Sequence, residues 1–438
     1  MRISIAIPTR ERAIYLKSLL ATCSAIRDDD LEIIVSDNAS EDNTREVVES
    51  FGDSRIRYLN TGRRLSMRQN FENVINATTG DYVIMSGDDD GFLPGQWAYL
   101  RTLLEQERPA CLSWRSRYYL WPDARQPDGG GRIKLYGPHT YGPVYRVPTA
   151  KILSSIVEAT ASGHDVAPMI YHGAARRDVI DAMRAKTGEV FSSSIPDVYF
   201  SVAANAFAGE VLFVEHPLSV QAISPKSTGF SARFSSGRGD SGAINRFTAE
   251  LSTDTVVDPM PGKMAAIELY YINAIEQANR MIFDGKLAVA YPVYFARALK
   301  SLSGMSEAER EAGKASLRGL AETLPDREAL LAAIEQSRPM SVASRALRDF
   351  DNALKRFRRF QPSLITASMF QIDLKPFGLS STADVARTID YCLGARIAGA
   401  RPDAASDPSL WRDAFRRGRG LCYRSILRCK PPAALLGD

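Results

Sequence analysis

No apolar run in the chain approaches the ~18 residues that a membrane span needs. The N-terminus, Met1 to Pro8, lacks the apolar core and cleavage site of a signal peptide, which points to the cytoplasm. Cysteine is sparse. Cys23, Cys111, Cys392, Cys422 and Cys429 are an odd, scattered set with no Cys-x-x-Cys, so neither a disulfide framework nor a zinc site is expected. Without secretion, the sequons at Asn38 and Asn76 carry no meaning. No internal repeat is visible. What remains is an ordinary globular composition, 45% apolar and 24% charged over 438 residues, long enough for two or more domains.

Charge is unevenly spread. The windows Arg345–Arg359 and Arg412–Lys430 together carry +10, so with a net charge of +4 the rest of the chain sums to −6. Basic character therefore belongs to the C-terminal part, and the acidic remainder argues against nucleic acid as a partner.

The stretch with the strongest chemical signal runs from Tyr82 to Gly95. Tyr82–Met85 has the short, β-branched apolar pattern of a buried strand. It leads directly into Asp88, Asp89 and Asp90. Two like charges ~4 Å apart cost ~1 kcal/mol even in water and more inside a protein. Either these carboxylates fan into solvent on a turn, or a cation neutralises them. Ligands bind at the carboxyl ends of strands in open α/β sheets, which favours the cation. Hard oxygen donors suit Mg²⁺ or Mn²⁺.

Strands and helices alternate around this stretch. Strands are expected at 3–7, 31–35, 56–59, 82–85 and 110–114. Helices are expected at 11–25, 44–50, 66–77 and from Pro94 to about Gln106. That alternation predicts an α/β fold with a mostly parallel sheet covered on both faces.

Three segments in order, Ile5–Arg12, Ile34–Thr44 and Gly80–Pro94, resemble family-2 glycosyltransferases of the GT-A fold. The resemblance covers roughly residues 1 to 230. It implies that Pro8, Thr9 and Arg12 line a nucleotide pocket, that Asp37 hydrogen-bonds the base, and that the loop from Asp37 to Thr44 closes over it. It also implies a divalent cation at the acidic motif. The family's usual form is Asp-x-Asp-Asp before x-x-Leu-Pro. Aligned on Leu93-Pro94, Gly87 takes the first place and Asp88 the variable one. Either Asp88 and Asp90 form the functional pair, or Asp89 acts with its neighbours. The reading adopted gives the metal to Asp89 or Asp90 and sets Asp88 nearer the ribose or sugar.

Residues 116–240 would form the acceptor half of a first domain spanning 1–240, after a nucleotide-binding half at 1–115. Residues 114–147 show no clean periodicity and suggest loops and short strands. A helix should begin near Arg177 and another, after Pro196, should run to about Phe207. Asp197 sits in that helix's first turn, where a carboxylate is stabilised by the helix dipole. The resemblance gives it a second reading, the base that deprotonates the acceptor hydroxyl, with Asp165 as competitor. A strand is expected at Val211–Val214. His216 beyond it is either a third metal ligand or a structural histidine. Lys226 suits a phosphate oxygen. Phe230–Gly242 has the composition of a lid, and 241–262 reads as lid and linker. Gly237–Gly242 fits a dinucleotide fingerprint by count but follows no buried strand.

Residues 263–438 read as helical, with patterns at 263–283, 287–302, 306 onward, 326–336, 342–360 and 383–398, no convincing strand and no chemistry of their own. Within 408–438, Trp411, Phe415, Leu421, Ile426 and Leu427 are interleaved with basic residues. That suits either contact with an anionic membrane surface or a solvated basic helix packed on its neighbours.

The expectation is a metal-dependent, inverting transferase moving a sugar from a nucleotide-diphosphate sugar to a glycan or lipid-linked acceptor, for polysaccharide or glycoconjugate synthesis. It would be cytoplasmic or peripheral to the inner face of the membrane. The rivals are a non-catalytic sugar-nucleotide binding protein on the same fold and a nucleotidyltransferase.

Overall fold

The computed structural model describes residues 1–122, 131–136, 144–160, 166–227, 247, 249–256, 267–341, 363–365, 369–374 and 378–393. The strands are β1 (Ile3–Thr9), β2 (Leu31–Asp37), β3 (Ile56–Asn60), β4 (Tyr82–Met85), β5 (Gly91–Phe92), β6 (Cys111–Trp114) and β7 (Arg117–Leu120). They continue with β8 (Arg132–Tyr136), β9 (Val144–Pro148), β10 (Gly173–Arg176), β11 (Glu210–Val214), β12 (Ser219–Ile223), β13 (Ser363–Ile365) and β14 (Met369–Asp373). The helices are α1 (Ala13–Ser24), α2 (Thr44–Glu49), α3 (Met67–Asn76), α4 (Trp97–Glu107), α5 (Thr149–Val157), α6 (Arg177–Thr187), α7 (Pro196–Ala203) and α8 (Asn205–Ala208). Then follow α9 (Ile267–Phe283), α10 (Tyr291–Ser303), α11 (Glu307–Ala321), α12 (Arg327–Gln336) and α13 (Thr382–Cys392).

Alternation in β1 and β4 divides two cores. Ile3, Ile5, Ile7, Tyr82 and Ile84 pack with Leu16, Leu19 and Leu20 of α1 and Leu100, Leu103 and Leu104 of α4. Ala6, Val83 and Met85 point the other way, onto Phe71, Val74 and Ile75 of α3. A strand buried on both faces belongs inside a parallel sheet. The sheet runs β3-β2-β1-β4-β10-β6-β11-β9. Its β3-β2-β1-β4 half is parallel throughout, and β10 enters antiparallel between β4 and β6. Gly173 allows that entry. A Cβ there would come within 1.9 Å of the Met169 carbonyl oxygen and 2.8 Å of that of Leu112.

Local signals explain the helix ends. Ser66 and Gln69 form a capping box at α3, and Ser306 and Glu309 form another at α11. Pro292 lies in the first turn of α10, where its missing N–H costs nothing. The helix expected from Pro196 to Phe207 divides into α7 and α8.

The C-terminal expectation needs two corrections. Strands are present there: β13 and β14 extend a second sheet of order β13-β14-β8-β7-β12-β5. Nor does the region stand apart. Leu374, Leu379, Val385, Ala386, Ile389 and Leu393 share a core with Tyr15, Leu93, Tyr119 and Trp121. The helix expected at 342–360, the lid at 230–242 and the basic tail at 408–438 lie outside the described residues. Among the described residues no helix is long and apolar enough to cross a membrane.

Candidate active site

Strands β1 and β4 run parallel and side by side, so the residues at their carboxyl ends share one edge of the sheet. A cavity of about 650 Å³ opens there, lined by Pro8, Thr9, Arg12, Asn38, Gly87, the three aspartates, His172, Asp197 and Lys226 among others. That volume suits a nucleotide-sized ligand.

The acidic triplet is not a solvated turn. Asp88, Asp89 and Asp90 are only 2–6% exposed. Each is held differently. Asp88 accepts the Thr9 hydroxyl at 2.7 Å and pairs with Arg12 at 2.9 Å. Asp89 pairs with Arg12 at 2.5 Å and accepts from the Ser224 amide and hydroxyl at 3.1 and 2.7 Å. Its carbonyl oxygen accepts from the Trp121 indole and the Thr382 hydroxyl. Asp90 accepts backbone N–H bonds from Ala222 at 2.8 Å and Gly87 at 3.1 Å. Gly87 leaves room for this, since a Cβ there would stand 2.9 Å from Asp90 Oδ2.

Three buried carboxylates thus face a single guanidinium. Burial, with Asp89 adding to it against the pull of Arg12, raises the Asp88 carboxyl to about 6. Burial and then Asp89 raise Asp90 well above the ordinary carboxylate range. The same negative field helps hold Arg12 charged despite its burial. Among the described residues no three carboxylates, imidazoles or thiols converge on one point. The donor set nonetheless fits a divalent cation: it is carboxylate-rich, net negative and open to a cavity, as in sites where substrate phosphates complete the coordination.

Asp197 lies in the first turn of α7, on the cavity wall, and burial raises its carboxyl. Its carboxylate also meets the Val198 backbone N–H of that first turn. Tyr171 lines the cavity beside it, and burial and then the Asp197 carboxylate keep its phenol protonated. Lys226 also lines the cavity, where its ammonium donates to the Glu11 carbonyl at 2.9 Å.

One expected position differs, and the alternative left open for His216 closes on the structural side. Asp37 is buried and does not line the cavity; its carboxylate accepts from the Ser40 amide, the Tyr58 hydroxyl and Asn60, so it shapes the loop while Asn38 faces inward. His216 is no metal ligand. It is fully buried away from the cavity, 2.9 Å from the Gln96 amide and edge-on to Tyr99, and burial lowers its ring to about 3. Asp165 lies outside the described residues.

Sequence reasoning missed His172, Ser224 and Thr382. His172 abuts β10, whose Gly-Ala-Ala-Arg has no β-branched residue to mark it as a strand. Thr382 reaches the site from 293 residues away in sequence. Tyr270 and Tyr271 of α9 add to the cavity wall, again from the region read as inert.

The family model described as glycosyl transferase family 2 matches residues 4–154. A GalNAc(5)-diNAcBac-PP-undecaprenol beta-1,3-glucosyltransferase of Campylobacter jejuni is 33% identical over 108 residues, 24% of this chain and 34% of that protein. The abequosyltransferase RfbV of Salmonella typhimurium is 33% identical over 144 residues, 32% of this chain and 40% of that protein. The chain thus spans well under half the length of both. Among solved structures, S. aureus TarS in complex with UDP aligns at 12% identity and a TM-score of 0.45, covering 84% of this chain and 95% of that one. A Pyrobaculum calidifontis mannosyltransferase in complex with GDP-Man and Mn²⁺ aligns at 15% identity and a TM-score of 0.37, covering 76% and 86%.

Proposed function

We propose, from the match of residues 4–154 to the glycosyl transferase family 2 model, that the chain transfers a sugar from a nucleoside-diphosphate sugar to an acceptor hydroxyl, with inversion and with Mn²⁺ or Mg²⁺ at the acidic loop. The observation that carries this reading is one cavity walled by both a buried, under-neutralised carboxylate cluster and a separate aspartate with a raised pKa.

Each part has a task. Pro8, Thr9 and Asn38 wall the nucleotide end, with Asp37 holding the loop behind it. Asp88, tied to Thr9, faces the ribose or sugar. Asp90, held by backbone amides alone on its own loop and β12, keeps lone pairs for the cation; Asp89 anchors Arg12 and Ser224. When bound, the cation acts as a Lewis acid on the departing diphosphate. Arg12 and Lys226 add positive charge on the same side. Asp197 takes the proton of the acceptor hydroxyl as its oxygen attacks the anomeric carbon. The bond to the diphosphate breaks on the opposite face, and its electron pair leaves with the diphosphate. A raised carboxyl pKa makes Asp197 a stronger base than a solvated carboxylate.

A lipid-linked acceptor, of the kind named for the C. jejuni relative, would put the reaction at the cytoplasmic face of a membrane, in glycoconjugate or polysaccharide synthesis. The test combines a thermal-shift screen of nucleoside-diphosphate sugars, with and without Mn²⁺, and a turnover assay. Metal-dependent stabilisation by a nucleoside diphosphate is expected. Asp197→Asn should keep it while turnover falls by ~10²–10⁴. Stabilisation by nucleoside triphosphates instead would indicate a nucleotidyltransferase. Binding without transfer or hydrolysis would indicate a sugar-nucleotide binding protein.

A further inference from the structure

Asp90 Oδ2 and His172 Nε2 face each other across 3.6 Å at the cavity wall. That is too long for a hydrogen bond. It falls within the spacing of two ligands on one ion: donors each ~2.1 Å from a small divalent cation stand ~3.0 Å apart at a right angle and ~4.2 Å apart in line. We infer that His172 is the second protein ligand, beside Asp90, of the divalent cation used in sugar transfer. This rests on the metal-dependent reading above.

The ring is mounted for that role. Its Nδ1 lies 2.7 Å from Ser219 Oγ, and the Trp114 indole N–H donates to the same oxygen at 2.7 Å. The Ser219 oxygen has two lone pairs. One takes the indole N–H and the other is free for the Nδ1–H of the imidazole. In the tautomer with the proton on Nδ1, which metal ligation requires, Nε2 is bare and turned toward Asp90. A metal-bound histidine is usually fixed in this way, by a hydrogen bond at its far nitrogen.

The backbone aims the ring as well. His172 has φ 52°, in the left-handed region that few non-glycine residues occupy. Its carbonyl is held by the Trp114 amide at 3.1 Å, and Gly173 beside it has no room for a side chain. One carboxylate oxygen and one imidazole nitrogen make an incomplete coordination sphere. The remaining positions fall to diphosphate oxygens and water, which suits an ion that binds with its substrate.

Mn²⁺ is the probe because it is paramagnetic. The full chain is loaded with Mn²⁺ and the nucleoside diphosphate that the thermal-shift screen selects. Pulsed EPR should then show nitrogen-14 coupling from one directly bound imidazole. His172→Ala should abolish the coupling and weaken Mn²⁺ binding at least ~10-fold, the lower end of what even outer-shell partners contribute. Nitrogen coupling absent from the wild type overturns the assignment, and that measurement stands even if the variant folds poorly. Coupling that survives in a folded His172→Ala also overturns it. Asp90→Asn separates the two readings. If Asp90→Asn abolishes Mn²⁺ binding while the wild type shows no nitrogen coupling, the metal stands and His172 falls. If the wild type binds the nucleotide equally with and without Mn²⁺, both fall.

Discussion

Arg12 is the residue on which the acidic site depends. Its guanidinium pairs with both Asp88 and Asp89, while its Nε has no acceptor among the described residues. Removing one partner of a buried ion pair costs ~3–5 kcal/mol, and the side chain's 17% exposure reduces that figure. Arg12→Ala should therefore lower the melting temperature of the metal-free chain. Adding Mn²⁺ with nucleotide should recover part of the loss, because a cation then faces the same carboxylates and binding stabilises the folded state. An unchanged melting temperature would mean that the carboxylates are neutral without Arg12. The triplet was legible in the sequence because three adjacent acids after a buried strand demand a counter-charge. The identity of that counter-charge was not, since Arg12 lies 76 positions before Asp88 and only the adjacency of β1 and β4 brings them together.

At the scale of elements, α13 braces the acidic loop from behind. Asp390 is fully buried and accepts from the Gly95 amide at 2.9 Å and the Gln96 side chain at 3.1 Å. Burial nevertheless raises its carboxyl to about 7. An unfolded aspartate titrates near ~3.9. Between these values the folded state binds more protons than the unfolded one, so stability falls as pH rises from ~4 through about 7. The full penalty, on the order of a few kcal/mol, applies above that window. Asp390→Asn removes the titration. Its difference in unfolding free energy between pH 5 and pH 8 should be smaller than that of the wild type, as measured by denaturant unfolding at both pH values. An equal difference in both proteins would place the titration elsewhere. The first four strands were legible because Val and Ile recur between turn-rich loops. Strand β10, Gly173–Arg176, was not, because it has no β-branched residue and its first position must be glycine, with the Met169 and Leu112 carbonyls too close for any side chain. Strand β14 pairs with β8 and β13 with β14, so their pattern says little until β8 is in place.

For the whole molecule, positive charge is concentrated in the C-terminal windows while the remainder is net acidic. We expect residues 408–438 to give weak, salt-sensitive binding to anionic membranes, at ~1 kcal/mol per basic residue near the surface. Truncation after Asp407 should abolish co-sedimentation with anionic liposomes at low salt while leaving donor binding intact. Equal sedimentation of both chains, or of neither, would remove the tail from the account.

The bracing of Gly95 by Asp390 also bears on biosynthesis, since 295 positions separate them. A ribosome adding ~5–20 residues per second needs roughly 15–60 s to cover that distance. Throughout that interval the nascent β1–β4 unit lacks the helix that closes its acidic end. Leu93, Trp121 and Val220 then have no α13 to cover them. The acidic end of the cavity is encoded first and assembled last, and the emerging chain has an interval of apolar exposure in which chaperone capture or premature association competes with completion.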